Sequence, residues 1–274
     1  MKTKRNLHFI LVAIIGIAVS LVWLYPFLLI FINSFKSRSE ILTNVINLPK
    51  NPTFVNYPTA FRQMNYWGSF LNSLIITVIS VVLIILFSAM AAYALSRNDS
   101  KLSKILYFVC GSTMLIPFQS VMIPLVGMFG SVGMLNRTGL IIMNIGFSVS
   151  MSIFLYYGSL RGVSISLDEA AYIDGASYFK TFFKVILPTL RSTTVTVIIL
   201  NGMKIWNDYL LPSLVVNKDG MFTLPLEIYY FFGQYTTQWE LALTGLLLAI
   251  VPIILLYIFL QQYIVQGIAE GAIK

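Results

Sequence analysis

Long apolar runs separated by short polar breaks dominate the chain. A helix needs about 20 consecutive apolar residues to cross the hydrocarbon core of a bilayer. Six runs reach that length, at approximately 8–32, 70–96, 105–129, 138–160, 190–215 and 241–263. The pattern predicts an all-α membrane protein with six transmembrane helices in a single domain covering 1–274. The first run follows Lys2, Lys4 and Arg5, as a secretory leader would. It is too long for a cleavable leader and reads as a retained first span. Pro49, Pro52 and Pro58, then Tyr66 and Trp67, fill the segment between the first two runs. That segment is expected to be a partly ordered extracytoplasmic loop.

Composition agrees with this pattern and removes other classes. The chain is 58% hydrophobic and 10% charged, against roughly 25% charged in a soluble domain. Its net charge of +8 is explained by topology. With the N-terminus inside, the segments 1–6, 97–104, 161–191 and 264–274 carry Lys and Arg at roughly twice the density of 33–69, 130–137 and 216–240. Both termini are therefore expected on the cytoplasmic side of the membrane, and nucleic-acid binding is not expected. Lys36 and Arg38, just outside the first span, run against the bias. A single cysteine, Cys110, and a single histidine, His8, leave little material for a disulfide framework, a metal centre or a catalytic triad.

The segment 161–188 between the fourth and fifth runs is long, on the expected cytoplasmic side and locally well formed. Ser166 and Glu169 have the spacing of a capping box, and Asp168 and Glu169 fall in the first turn of the helix it would start. Gly175 is placed to end that helix in the left-handed conformation. Phe179, Phe182, Phe183 and Ile186 then recur on one side of a second stretch, with Lys180 and Lys184 on the other, before Pro188. The prediction is a helix–turn–helix at the cytoplasmic membrane surface.

The order Glu169-Ala170-Ala171, three residues, Gly175, nine residues and Val185-Ile186-Leu187-Pro188 closely resembles the signature of bacterial ABC-importer permeases. Asp174-Gly175-Ala176 is similar to their carbohydrate branch. So are Asn72-Ser73 and Ala92-Tyr93-Ala94-Leu95-Ser96-Arg97 at the two ends of the second run. Ile116-Pro117-Phe118, Ile123-Pro124-Leu125, Phe154-Leu155, Trp206-Asn207-Asp208-Tyr209 and the tail Gly267…Gly271-Ala272-Ile273-Lys274 continue the likeness to the six-span membrane subunit of maltose-type sugar importers. The resemblance implies that the short helix is a coupling helix. Glu169, Ala170, Ala171, Asp174, Gly175, Leu187 and Pro188 would then meet a cytoplasmic ATPase. It implies further partners: a second homologous permease, two ABC ATPase subunits, an extracytoplasmic solute-binding protein and a sugar. The chain has no G-x-x-x-x-G-K-[ST] loop, so no cofactor is expected on it, and ATP and Mg belong to the partner ATPases.

Polar residues within spans are costly and tend to face protein or water. Asn201, Lys204 and Asp208 share one helix face, with Asn207 beside them, and Lys204 and Asp208 are spaced to neutralise each other. Asn144, Ser148 and Ser152 form a second stripe. Each stripe would line a substrate pathway or lock helices together. A polyol phosphate, which would suit Lys204, is the alternative substrate. An ion-driven secondary transporter with Asp208 as its coupling carboxylate is the alternative class, although no inverted repeat is visible.

Overall fold

The computed structural model describes the backbone of residues 2–233 and 237–272, and the side chains of 10–233, 237–255 and 258. The first helices are α1 (Lys2–Asn33), α2 (Arg38–Thr43), α3 (Asn56–Gln63), α4 (Tyr66–Arg97) and α5 (Lys101–Thr113). They are followed by α6 (Phe118–Ser131), α7 (Arg137–Leu160), α8 (Ser166–Ile173) and α9 (Tyr178–Thr181). A π-turn (Phe182–Ile186) leads from α9 into α10 (Leu187–Thr189). The chain ends with α11 (Arg191–Trp206), α12 (Leu210–Val215), α13 (Leu224–Tyr230) and α14 (Trp239–Ala272). Among the described residues the only β-pairing is an isolated bridge between Phe232 and Thr237. His8 and the tail from Gly267 lie outside the described side chains.

Among the described residues, three helices are long and apolar enough to cross a membrane unaided: Ile10–Asn33, Tyr66–Arg97 and Arg137–Leu160. Two more candidates are helix pairs. Lys101–Thr113 and Phe118–Ser131 meet at 100°, and Tyr178–Thr189 and Arg191–Trp206 meet at 79°. The continuous part of α14 with described side chains, Trp239–Leu255, is apolar as well. The third apolar run, read as one helix over 105–129, is thus broken. Pro117 lacks an N–H and disfavours helical backbone at Ile116, so the chain turns between α5 and α6. The fifth run, 190–215, is broken at 207–209, between α11 and α12.

The chain divides into two compact units, Met1–Tyr66 with Ile228–Val251, and Trp67–Glu227 with Pro252–Lys274. In the first unit the loop after α1 is more ordered than its prolines suggest. Lys36 is fully buried, and its Nζ donates to the carbonyls of Asn44 (2.9 Å) and Val45 (3.3 Å). Asn56 Nδ2 donates to Ser34 O (2.7 Å) and Lys36 O (2.9 Å), while Phe35 packs its ring on Phe54 and Tyr57. Lys36 therefore departs from the charge bias as an internal fastener of this knot, since a buried amine needs such acceptors.

In the second unit a ladder of side-chain hydrogen bonds joins α7 to α11. Lys204 Nζ donates to Ser148 Oγ (3.3 Å) and Asn201 Nδ2 to Ser152 Oγ (3.1 Å). Tyr156 OH donates to Thr194 Oγ1 (3.0 Å), and the hydroxyls of Ser159 and Thr193 lie 2.6 Å apart. The two helices run antiparallel, so each step along one is matched by a step back along the other. Near the start of α4, Asn72 Nδ2 donates to the carbonyls of Gly220 and Phe222, and Ser73 Oγ accepts from Leu224 N. These bonds pin the segment before α13.

Glu227 of α13 accepts from Ser69 Oγ at 3.3 Å. Burial pushes its carboxyl up to about 7; the Ser69 bond opposes that rise and nearby Asp219 adds to it. The ordinary value is 4.5, so the folded state holds a proton that the unfolded chain has released. Stability is therefore full below the ordinary value and declines as pH rises through about 7. Thermal unfolding in detergent is expected at a lower temperature at about pH 8 than at about pH 5. Glu227→Gln should shrink that difference; an unchanged pH dependence in the variant contradicts the assignment.

Candidate functional site

The loop carrying the importer signature is a helical hairpin. α8 does not start with the expected Ser166–Glu169 capping box. Ser166 is already helical and its hydroxyl sits 2.7 Å from Ser164 Oγ, which also accepts the Ser166 N–H. Ile165 stands at the N-cap, and no side chain caps the helix there. The far end follows the expectation. Gly175 has φ +75°, its N–H donates to Tyr172 O (3.0 Å), and Ala176 N donates to Ala171 O (2.9 Å). This is the Schellman arrangement, which glycine adopts without Cβ strain. Ser177 then caps α9 by accepting from Lys180 N.

α8 has two distinct faces. Asp168 and Ala171 are buried against the chain, whereas Glu169, Ala170, Tyr172, Ile173, Asp174 and Gly175 are exposed. Ala171 was expected among the small residues admitting an ATPase; its size instead serves packing within this chain. Leu187 is half-buried and Pro188 exposed, just before the elbow at Leu190. In the second arm Phe182 and Ile186 are buried, but Phe179 and Phe183 are not. The π-turn inserts a wider turn here and takes those two rings off the shared face.

A cavity of about 820 Å³ opens in the second unit. It is bordered by both helix breaks, with Thr113, Met114, Ile116 and Phe118 on one side and Lys204, Asn207, Asp208 and Leu210 on the other. Gln119, Asn144 and Phe147 add to the lining, and Phe118 and Phe147 meet edge to face at 5.2 Å. Broken helices in a membrane are tolerated where their freed backbone groups border a cavity. The sequence stripes therefore split. Asn144, Lys204, Asn207 and Asp208 line the cavity, whereas Asn201 and Ser148 are buried in the α7–α11 ladder.

Lys204 and Asp208 do not form the direct ion pair expected from their spacing. Lys204 Nζ also approaches Phe147 O (3.4 Å), and Asp208 Oδ1 accepts the N–H groups of Leu210 (3.0 Å) and Leu211 (3.4 Å). Asp208 thereby satisfies orphan donors at the start of α12, a capping task that competes with pairing to Lys204.

Sequence reasoning missed the partners of Asp168, treating it as a first-turn acid. Asp168 Oδ2 lies 3.0 Å from Arg97 Nη2, and Asp168 Oδ1 accepts from the Tyr93 hydroxyl. An acid next to the family-like Glu169-Ala170-Ala171 was the available signal, but its partners stand on α4, remote in sequence.

Residues 84–270 match the family of binding-protein-dependent transport system inner membrane components. The chain is 51% identical over 271 residues, 99% of each protein, to the probable starch degradation products transport system permease protein AmyC of Thermoanaerobacterium thermosulfurigenes. It is 36% identical over 255 residues, 92% of each, to the multiple sugar-binding transport system permease protein MsmG of Streptococcus mutans. In fold it is similar to a chain from the crystal structure of a bacterial ABC transporter involved in the import of the acidic polysaccharide alginate. That match has a TM-score of 0.80 at 24% identity and covers 96% of this chain and 98% of the other. A helical membrane permease is thus the class that fold and site define. The chain belongs to the family of binding-protein-dependent transport system inner membrane components.

Proposed function

We propose that this chain is the permease subunit of an ATP-driven importer of a carbohydrate, an oligosaccharide or glycoside, and forms half of its translocation pathway. The observation that carries the reading is the two-faced α8. The family signature falls on a helix whose inner face is fixed to the chain while Glu169, Ala170 and Ile173 stand open for a partner. A likeness of 51% to a starch-product permease over nearly the whole chain supports the substrate class.

The chain crosses the membrane six times, counting each bent pair and α14 as one span each, with both termini in the cytoplasm and α8 as the coupling helix. It pairs with a second permease, receives substrate from an extracytoplasmic binding protein, and docks on two ATPase subunits that supply ATP and Mg. The cavity lined by Asn144, Lys204, Asn207 and Asp208 belongs to the sugar pathway; Phe118 and Phe147 offer apolar faces to a sugar ring. Amide, amine and carboxylate groups together suit hydroxyls, which both donate and accept. A polyol phosphate would bring its charge towards Asp208 as well as Lys204, so the cavity favours a neutral ligand.

The test is purification of the chain from its native membranes in mild detergent, with identification of co-purifying proteins, then uptake of a labelled malto-oligosaccharide by reconstituted vesicles. A second permease and an ATPase in stoichiometric amounts, with ATP-dependent uptake, are expected. Recovery of the chain alone, even after crosslinking at Glu169, contradicts the importer.

A further inference from the structure

The last turn of α4 grips both arms of the coupling hairpin. Arg97 Nη2 lies 3.0 Å from Asp168 Oδ2 and also donates to the carbonyl of Val163 (3.2 Å), the residue that leads into α8. Tyr93, one turn earlier on the same helix face, donates its hydroxyl to the other oxygen of Asp168. The Tyr93 ring is 1% exposed and packs on Tyr178 (5.1 Å) and Phe182 (5.3 Å) of the second arm. The Arg97 guanidinium completes the cluster 5.9 Å from the centre of the Tyr93 ring. Asp168 itself is 4% exposed. A carboxylate this buried persists only with such partners.

We infer that Asp168, Arg97 and Tyr93 are positioning residues that make α4 a third lever of the transport stroke. Apolar packing of Phe182 and Ile186 also ties the second arm to the core, but it is through Asp168 that α8 itself is bonded to α4. With these bonds, a displacement imposed on the open face of α8 is delivered to α4 as well, because the charge pair and ring contacts resist separation. The clamp thus acts on the efficiency with which hydrolysis is converted into movement of the spans, while docking belongs to the opposite face of α8. This inference rests on α8 being the element that meets the ATPase.

The experiment compares wild type, Asp168→Asn, Arg97→Gln and the exchanged pair Asp168→Arg/Arg97→Asp in the complete complex, reconstituted with its binding protein. The readout is sugar taken up per ATP hydrolysed, measured on assembled complex. Asp168→Asn, which keeps an oxygen for Tyr93, and Arg97→Gln are each expected to lower that ratio about tenfold while ATP hydrolysis continues. The exchanged pair is expected to recover part of it. A merely structural role would reduce the amount of complex and leave the ratio alone. Wild-type ratios in both single variants would overturn the clamp. So would an exchanged pair no better than the singles in complexes that assemble normally. If the wild-type complex itself shows no ATP-dependent uptake, the proposed function fails, a result distinct from either of these.

Discussion

Gly175→Pro is expected to insert in the membrane at wild-type level and to transport sugar at background rate, a loss of about a hundredfold. The backbone at Gly175 has φ +75°, and its N–H closes a 3.0 Å bond to Tyr172 O. Proline holds φ near −65° and has no N–H, so it fails on both counts, at a cost of about 3 kcal/mol or more. The change lies in an exposed turn, so the apolar runs that direct insertion are untouched. The turn that sets the angle between α8 and α9 is lost, and the open face of α8 is aimed elsewhere. Gly175→Ala keeps the N–H and bears only the left-handed penalty of about 1–2 kcal/mol; it should fall between the two. Uptake and substrate-stimulated ATP hydrolysis in reconstituted vesicles, normalised to membrane-inserted protein, measure the series. Wild-type coupling in the proline variant would remove the turn from the mechanism.

The cavity should yield the second large effect. Asp208→Asn leaves an oxygen to accept from Leu210 and Leu211 N–H, so α12 keeps its start while the negative charge disappears. Lys204→Met keeps most of the side-chain volume and removes the positive charge together with its rung to Ser148, so its unfolding temperature should fall as well. Each is expected to reduce uptake about tenfold to a hundredfold with assembly intact, the cost of leaving a ligand hydroxyl unpaired in a closed site. Asn201→Leu, outside the cavity, should instead lower the unfolding temperature and leave substrate selectivity alone. If the cavity variants transport normally, this subunit shapes the pathway without touching the sugar.

Hydropathy made the long helices legible because lipid demands an unbroken apolar surface whatever the packing. It is blind to backbone breaks: residues 114–117 are mostly apolar and only Pro117 hinted at the first, while Asn207 and Asp208 at the second were read as one polar helix face although both residue types also favour turns. The stripes of Asn144, Lys204, Asn207 and Asp208 were legible as one face of each helix. Spacing could not separate them from Asn201 and Ser148, which lie on the same stripes and bond across α7 and α11. Gly175 was readable because a single residue type fits its dihedral. The capping box was misread because the helix starts one residue earlier than the spacing suggests, with Ile165 at the N-cap and Ser166 already helical. Asp168 was missed since its meaning comes from Arg97 and Tyr93 at the far end of another helix.

The ladder between α7 and α11 also restricts how those helices can move. Each rung pairs one named side chain with another, from Lys204–Ser148 to Thr193–Ser159. A slide of half a turn would leave polar groups facing hydrocarbon all along the seam, and the next compatible register lies a full turn, about 5.4 Å, away. The pair therefore behaves as a keyed joint with discrete settings. Whatever alternates between the two sides of the membrane, α7 and α11 tilt and rotate as one piece, carrying the wall of the cavity with them.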